Sequence, residues 1–138
     1  MGAAAIEALL YRESGLLGVS GLSSDMRALR TSSDPHAREA IDLFVYRIIR
    51  EIGSLVAALD GIDAIVFSGG IGENDDATRT EVIEGCRWTG AVLDPALNAR
   101  GEGCVSAASS RVAVWVIPTD EERLIASHTI RALGSNPA

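Results

Sequence analysis

Glycine residues and acidic or amide side chains are concentrated in one stretch near the middle of the sequence, directly after a short apolar run. The residues concerned are Gly69, Gly70, Gly72, Asn74, Asp75 and Asp76. Glycine adopts positive φ angles and lets the backbone approach a ligand closely, and an Asn or Asp at this place can cap a helix that begins near Ala77. Backbone N–H groups and a helix dipole then face the same ligand. The stretch therefore predicts a site for an anionic or nucleotide ligand.

The basic residues and the net charge narrow the possible chemistry. All 12 basic residues of the 138-residue chain are arginine, so a phosphate-loop lysine and Schiff-base catalysis are excluded. No G-x-x-x-x-G-K-[ST] motif occurs, and Gly-Gly-Ile-Gly alone is a weak indication of phosphate binding. The net charge of −7 disfavours nucleic acid as a partner, because binding to its phosphates requires a basic surface. We therefore expect a small-molecule ligand.

Apolar runs rich in β-branched residues predict the strands that would position this site. Ala64–Phe67, just before the glycines, predicts a strand of a parallel sheet that is covered on both faces. Residues 112–117 predict a second strong strand. Weaker strands are predicted over residues 90–93 and 104–107, with a polar loop over residues 94–103 between them.

Apolar residues at three- and four-residue steps predict the helices. The longest extends from Asp34-Pro35 to about residue 59, with the carboxylate as N-cap and the proline at the first helical position. Shorter helices are predicted over residues 3–13 and 77–88. Residues 14–24 predict a loop whose backbone groups pack against a surface or a ligand.

The last helix is predicted from a capping box and extends to about residue 133. Thr119 would be its N-cap and Glu122 its third residue, and Glu121 in the same turn would complement the helix dipole. Residues 134–138 are expected to fray. Because strands alternate with helices, the sequence predicts one α/β domain over residues 1–138, with a short, mostly parallel sheet flanked by helices.

The cysteines and the N-terminal segment bear on the cellular compartment. Cys86 and Cys104 form no C-x-x-C pair, and we expect both to be buried thiols in a reducing compartment. No apolar run approaches the ~20 residues that a membrane span requires. The N-terminal segment lacks the basic start of a signal peptide. We therefore expect a cytoplasmic protein with no membrane partner.

Five blocks of the sequence, in this order and spacing, resemble the C-terminal part of acetate kinases. They are Ser14-Gly-Leu-Leu-Gly-Val-Ser-Gly21, Ser24-Asp-Met-Arg27, Val66-Phe-Ser-Gly-Gly-Ile-Gly-Glu-Asn74, Leu93-Asp-Pro95 and Val116-Ile-Pro-Thr-Asp-Glu-Glu122. The resemblance covers nearly the whole chain, from about residue 8 to residue 133. It departs from the family at Ser68-Gly69, where many members have Thr-Ala, and both changes are small.

The resemblance implies a fold and a set of site residues. The fold is part of a domain of the superfamily shared by actin, sugar kinases and heat-shock chaperones, which is ribonuclease H-like. The residues implied to contact ATP or ADP are Asp25, Met26, Arg27, Gly70, Ile71, Gly72, Glu73 and Asn74. Glu121 is implied to be associated with Mg²⁺. Without the resemblance, the sequence favours Asp25 as a helix or turn cap and Arg27 as a solvated charge.

The resemblance also implies that the chain is catalytically incomplete. The family's catalytic arginines, histidines and aspartate, its acetate pocket and its N-terminal domain belong to segments upstream of Met1. We therefore expect nucleotide binding without turnover, and a short-chain carboxylate as a partner only when the missing domain is supplied. A truncated sheet leaves strand edges and apolar surface unpaired, which favours homo-oligomer formation.

Two alternatives to an acetate kinase fragment remain open from the sequence. The chain could be a non-catalytic module that uses its nucleotide loop for binding or regulation. It could be one half of a split kinase that acts with a separate N-terminal chain. In any of these versions, propionate or butyrate could replace acetate, because the acyl pocket does not lie in this sequence.

Overall fold

A computed structural model describes residues 1–134, in which short strands alternate with helices. The helices are α1 (Ala3–Arg12), α2 (Gly15–Ser20), α3 (Met26–Thr31), α4 (Pro35–Ala58), α5 (Gly69–Asn74), α6 (Asp76–Gly85), α7 (Pro95–Arg100) and α8 (Glu121–Ala132), with a 3-10 turn at Arg87–Thr89. The strands are β1 (Ala64–Phe67), β2 (Gly103–Cys104) and β3 (Ala113–Val116). The predicted α/β class is confirmed. Of the residues expected to fray, 135–138 lie outside the described part of the chain.

The three strands form one small sheet in the order β1-β3-β2. β1 pairs with β3 in parallel, with Ile65 opposite Val114 and Phe67 opposite Val116. β2 is antiparallel to β3, and Gly103 pairs with Val116. The sheet is therefore short and mostly parallel, as the sequence predicted.

The two faces of the sheet differ in burial. Ile65, Phe67, Val114 and Val116 point into one core together with side chains of α4 and α6. On the opposite face, Val66 is 52% exposed and Trp115 is 40% exposed. The prediction that β1 is covered on both faces is therefore wrong, because a continuous apolar run does not reveal which of its two faces a helix covers.

Helix α4 provides the surface on which the other helices pack. It begins at Pro35, and the Oδ1 atom of Asp34 accepts a hydrogen bond from the backbone N–H of His36 at 2.9 Å. Its buried residues are Ala37, Ala40, Ile41 and Val45, and α2, α3 and α6 pack against it. The prediction of this helix is confirmed, because both its cap and its apolar period are encoded locally.

Two segments predicted as loops contain short helices. Residues 15–20 form α2, whose Leu16 packs against the core beside α4. Within residues 94–103, the Oδ1 atom of Asp94 caps α7 by accepting hydrogen bonds from the N–H groups of Ala96 and Leu97, both at 2.9 Å. Helices this short owe their stability to capping and tertiary packing rather than to helix propensity.

The weaker strands and the cysteines also differ from expectation. The strand predicted over residues 90–93 is reduced to isolated bridges at Ala91 and Leu93. The strand predicted over residues 104–107 is replaced by the two residues of β2. Cys86 is buried and Cys104 is exposed, and both are free thiols, so the expected burial is correct only for Cys86.

Within residues 1–134, no helix combines the length and apolar character needed to cross a bilayer.

Candidate functional site

A cavity of about 350 Å³ lies where the N-terminus of α3 meets α5. It is lined by Ser24, Asp25, Met26, Arg27, Gly70, Ile71, Asn74 and Asp75. Its volume lies at the lower end of the range of small-molecule sites, which is about 300–1,000 Å³. The cavity thus joins the two stretches that were singled out in the sequence, which are far apart along the chain.

Asp25, Met26 and Arg27 form the first wall and lie at the beginning of α3. The Oδ1 atom of Asp25 caps the helix by accepting a hydrogen bond from the N–H of Arg27 at 3.0 Å. Met26 is buried, whereas the side chain of Arg27 is 92% exposed. The predictions of a capping aspartate and a solvated arginine are confirmed, and both residues also line the cavity.

A tight turn before α3 places this wall. The buried Oγ of Ser20 accepts hydrogen bonds from the N–H groups of Leu22 at 3.1 Å and Ser23 at 3.3 Å. Gly21 has a φ of 65°, which lies in the left-handed region that glycine tolerates. The Oγ of Ser23 then accepts from the N–H of Asp25 at 3.0 Å. Hydrogen bonds of short sequence range therefore hold the first wall.

The glycines that were predicted to form a turn instead begin the short helix α5. Gly69 has a φ of 72°, and the chain turns sharply there from β1 into the helix. Apart from its chain neighbours and the backbone of its own helix, no atom of residues 1–134 lies within 4 Å of the position that a Cβ of Gly70 would occupy, so Gly70 is open at the cavity. A Cβ at Gly72 would lie 3.4 Å from the carbonyl carbon of Phe67. Gly72 therefore supports close packing of α5 on β1 rather than lining the cavity.

Glu73 also lies outside the residues that line the cavity, and it joins two elements. Its Oε1 atom accepts hydrogen bonds from the N–H of Gly69 at 2.7 Å, the N–H of Thr119 at 2.9 Å and the Oγ1 hydroxyl of Thr119 at 3.0 Å. The bonds from Thr119, followed by the bond from Gly69, lower the pKa of Glu73 below its usual value. Glu73 thus fastens the start of α5 to the turn that follows β3.

This bonding overturns the capping box predicted for the last helix. Thr119 donates to Glu73, and the N-cap of α8 is Asp120, whose Oδ1 accepts from the N–H of Arg123 at 3.0 Å. The predicted cap is wrong by one residue, because a partner distant in sequence competes for the threonine. The helix itself is confirmed and ends at Ala132.

The second wall of the cavity consists of Gly70, Ile71, Asn74 and Asp75, and Asp75 is also the N-cap of α6. Its Oδ1 accepts from the N–H of Thr78 at 3.2 Å, and its Oδ2 accepts from the Oγ1 hydroxyl of Thr78 at 2.6 Å. Asp75 was one of three predicted caps, but its place at the cavity was not predicted. Asn74 is exposed at the cavity and donates from Nδ2 to the carbonyl of Gly70 at 2.9 Å. Helix α6 ends at Gly85 rather than at the predicted Trp88.

Arg79 supports α5 from within the protein and was missed by sequence reasoning. It is 1% exposed, and its Nη1 donates to the carbonyls of Gly72 at 2.8 Å and Glu73 at 2.9 Å. Its Nε donates to Oδ1 of Asn98 at 2.7 Å and its Nη2 to the carbonyl of Asn98 at 2.6 Å. Burial lowers the pKa of Arg79 from its usual high value, but a guanidinium stays protonated in proteins. A cation at the C-terminus of α5 also complements that helix dipole.

Glu121 is the first residue of α8 and is exposed. It does not line the cavity. Among residues 1–134, no group of three or more His, Cys, Asp and Glu side chains could hold a metal ion. Magnesium keeps several waters and is commonly bound by one or two carboxylates together with phosphate oxygens. A single carboxylate such as Glu121 fits Mg²⁺ in that setting.

The chain is similar in sequence to known kinases over most of its length. A sequence model described as the acetokinase family matches residues 1–127. The acetate kinase of Rhodopseudomonas palustris strain TIE-1 is 61% identical over 133 residues, which are 95% of this chain and 33% of that protein. The chain thus spans about a third of the length of the curated relatives it matches.

Solved structures are similar in fold as well. The crystal structure of Porphyromonas gingivalis acetate kinase superposes with a TM-score of 0.83 and 40% identity, covering 96% of this chain and 35% of that one. A propionate kinase from Francisella tularensis superposes with a TM-score of 0.81 and 32% identity, covering 91% of this chain and 33% of that one.

Proposed function

The chain belongs to the acetokinase family, and from that premise we propose that it is the nucleotide-binding portion of an acetate kinase. Its mixed α/β fold is part of the actin- and sugar-kinase-like fold of that family. Family members are phosphotransferases, and the proposed reaction is the reversible transfer of a phosphoryl group between ATP and acetate. A kinase acts where the nucleotide pool is, so we place this function in the cytoplasm.

The single observation that carries the proposal is the composition of the cavity between α3 and α5. Six of the eight residues that the resemblance connects with nucleotide line it, and they come from two separate stretches of the chain. The six are Asp25, Met26, Arg27, Gly70, Ile71 and Asn74. Sites at the carboxyl ends of parallel strands are common in α/β proteins, and α5 directly follows such a strand, β1.

We assign the residues different tasks within this proposal. Asp25, Met26 and Arg27 contact the adenosine end of the nucleotide, and the exposed Arg27 closes over it. Gly70 presents open backbone to the adenosine and phosphates. Gly72 acts through its close packing on β1.

Glu73 and Glu121 lie outside the residues that line the cavity. Glu73 holds the loop by three hydrogen bonds that its Oε1 atom accepts, so we assign it a positioning task, and its contact with the nucleotide stays a prediction. Glu121 would supply a carboxylate oxygen for Mg²⁺, and the bound ion would neutralise phosphate charge. Because Glu73 bonds to Thr119, two residues before Glu121, the loop and the proposed magnesium ligand belong to one connected segment.

We further propose that the 138 residues have no acetate kinase turnover by themselves. They span about a third of their relatives, and the cavity contains no histidine. The similar solved structures include an acetate kinase and a propionate kinase, so the acyl acid is acetate or a short homologue, with propionate and butyrate as candidates. A purified sample that forms acetyl phosphate from Mg²⁺-ATP and acetate would refute the proposed inactivity.

Calorimetric titration with Mg²⁺-ADP tests nucleotide binding directly. We expect the chain to bind, Arg27→Ala to weaken the affinity, and Arg47→Ala to leave it unchanged. Arg47 is a matched control because it is also exposed and lies on α4, away from this cavity. A folded chain that gives no binding heat, or equal losses in the two variants, would contradict the proposed site.

A further inference from the structure

The side chain of Arg30 connects the two walls of the cavity. It lies in α3, and its guanidinium crosses to α6, where it donates four hydrogen bonds. Nε donates to Oδ2 of Asp75 at 3.2 Å, and Nη2 donates to Oγ1 of Thr78 at 2.9 Å. Nη1 and Nη2 donate to the two carboxylate oxygens of Glu81 at 3.0 and 2.8 Å.

The two elements that these contacts join both contribute residues to the cavity. Arg30 is one helical turn after Met26 and Arg27, which form the first wall. Asp75, its partner, lines the second wall and is the N-cap of α6. The two partners are 45 positions apart in sequence, so this contact is a tertiary link rather than a feature of one helix.

The chemistry of the link favours a fixed geometry. A guanidinium is a planar fork that binds a carboxylate through two parallel hydrogen bonds, and little freedom is lost for each bond formed. The side chains of Arg30 and Asp75 are only 19% and 14% exposed, so solvent screens this pair less than it screens a surface ion pair. Displacing α3 would break several charge-assisted bonds at once.

We propose that Arg30 is a positioning residue for the nucleotide pocket, setting the distance between the Asp25–Arg27 wall and the wall that ends at Asp75. This inference rests on the proposed function, because it assumes that the cavity binds a nucleotide. Arg30 touches no ligand itself. It keeps the empty cavity in the form that the nucleotide requires.

Arg38 serves as a control for Arg30 because it belongs to the same ionic network. It lies on α4 and donates from Nη1 to Oε1 of Glu81 at 2.8 Å, so it shares one carboxylate with Arg30. Its other partner is Asp42, one turn along α4. Neither partner lines the cavity. A substitution of Arg38 therefore weakens the same ionic network without releasing a wall.

The test compares Arg30→Lys with Arg38→Lys in the full chain. A single ammonium keeps the charge but cannot bridge Asp75, Thr78 and Glu81 together, so α3 samples positions in which the cavity is not formed. If one molecule in ten retains the competent form, the apparent dissociation constant for Mg²⁺-ADP rises about tenfold. We expect a change of less than about twofold in Arg38→Lys by the same relation.

Thermal melting and titration with Mg²⁺-ADP together decide between positioning and mere stabilisation. Weaker binding in Arg30→Lys alone, titrated at a temperature at which the melting curves show both variants fully folded, supports the inference. Unchanged binding in Arg30→Lys, or an equal loss in Arg38→Lys, overturns it while the proposed nucleotide site stands.

A wild-type chain that does not bind Mg²⁺-ADP overturns the proposed function, and amide hydrogen exchange then tests the link itself. The N–H groups of Thr78 and Arg79 both donate to Asp75, the first to its side chain and the second to its carbonyl. Faster exchange of these two amides in Arg30→Lys than in Arg38→Lys supports the role of Arg30 in holding the walls. Equal exchange overturns it.

Discussion

Two regions of the molecule are stabilised in different ways. The first is the region around the cavity. The second comprises the terminal helices α1 and α8 and the open face of the sheet, on which Val66 and Trp115 lie. Around α3, α5 and α6, polar side chains are paired with one another, and within residues 1–134 no buried side-chain nitrogen or oxygen lacks a partner. Helices α1 and α8 bury no residue. Leu124 is 58% exposed, and Trp115 stands on the uncovered face of the sheet.

This difference between the two regions shows that formation of the cavity and burial of the apolar surface depend on different residues. The cavity region is held by hydrogen bonds of side chains that lie behind the lining, such as those of Arg30, Glu73 and Arg79. The open face has apolar side chains of the kind that usually marks a contact with another surface. We therefore expect substitutions near the cavity to change stability and binding, and substitutions on the open face to change association.

Arg79→Leu is expected to have the largest effect. It leaves the carbonyls of Gly72, Glu73 and Asn98 without their donor, and each unpaired buried polar group costs about 1–3 kcal/mol. We expect a loss of about 3 kcal/mol or more in the free energy of unfolding, measured by urea titration. Arg87→Leu is the control, because the only ion pair of Arg87 within residues 1–134 is an exposed one with Glu84, so its loss should cost less than about 1 kcal/mol.

Equal losses in the free energy of unfolding of Arg79→Leu and Arg87→Leu would contradict this expectation, because the cavity region would then not depend on its internal hydrogen bonds.

The second expected effect is a loss of stability at acidic pH, and it is smaller than the effect of Arg79→Leu. Bonds from Arg30, followed by those from Arg38, lower the pKa of Glu81. Burial raises the pKa of Asp75, but bonds from Thr78 and Arg30 lower it by more. A carboxyl group whose pKa is lower in the folded state stabilises the fold above its unfolded pKa of about 4, and this stabilisation is lost as the pH falls through the folded pKa.

The melting temperature should therefore fall as the pH is lowered below about 4, and it should fall less in Arg30→Lys, in which part of this stabilisation is already absent. Arg47→Lys serves as the reference, because the pair of Arg47 with Glu51 is exposed and long, at 4.0 Å. Identical pH profiles in all three proteins would contradict the expectation.

Substitutions on the open face of the sheet are expected to have the smallest effect on stability. Their expected effect is on self-association. Val66 and Trp115 lie side by side there, in register across β1 and β3. If homo-oligomers form through this face, Trp115→Glu should shift sedimentation velocity profiles toward the monomer. Trp88→Glu is the matched control, because Trp88 is also exposed but lies in the 3-10 turn. A wild-type monomer at all concentrations would disprove the expected oligomer.

Part of the fold was predictable because its causes are local. Asp34-Pro35 and the apolar period specify α4, and two runs of β-branched residues specify β1 and β3. Helix α7 was also available to sequence reasoning, since Asp94-Pro95 repeats the start of α4, but the surrounding polar residues concealed it. By contrast, a short run rich in glycine is a poor helix former, so α5 was not predictable from propensity.

The sequence by itself determined the residue types at the site: glycines after a strand, an aspartate that begins α3, and an exposed arginine beside it. The tertiary structure decided which of them meet. Glu73 accepts hydrogen bonds from Thr119, 46 positions away, and no local pattern indicated this link. The roles of Arg30 and Arg79 depend on hydrogen-bond partners that lie on other elements. Hydrogen bonds between distant segments depend on where the folded backbone brings donor and acceptor, and no local pattern encodes that distance.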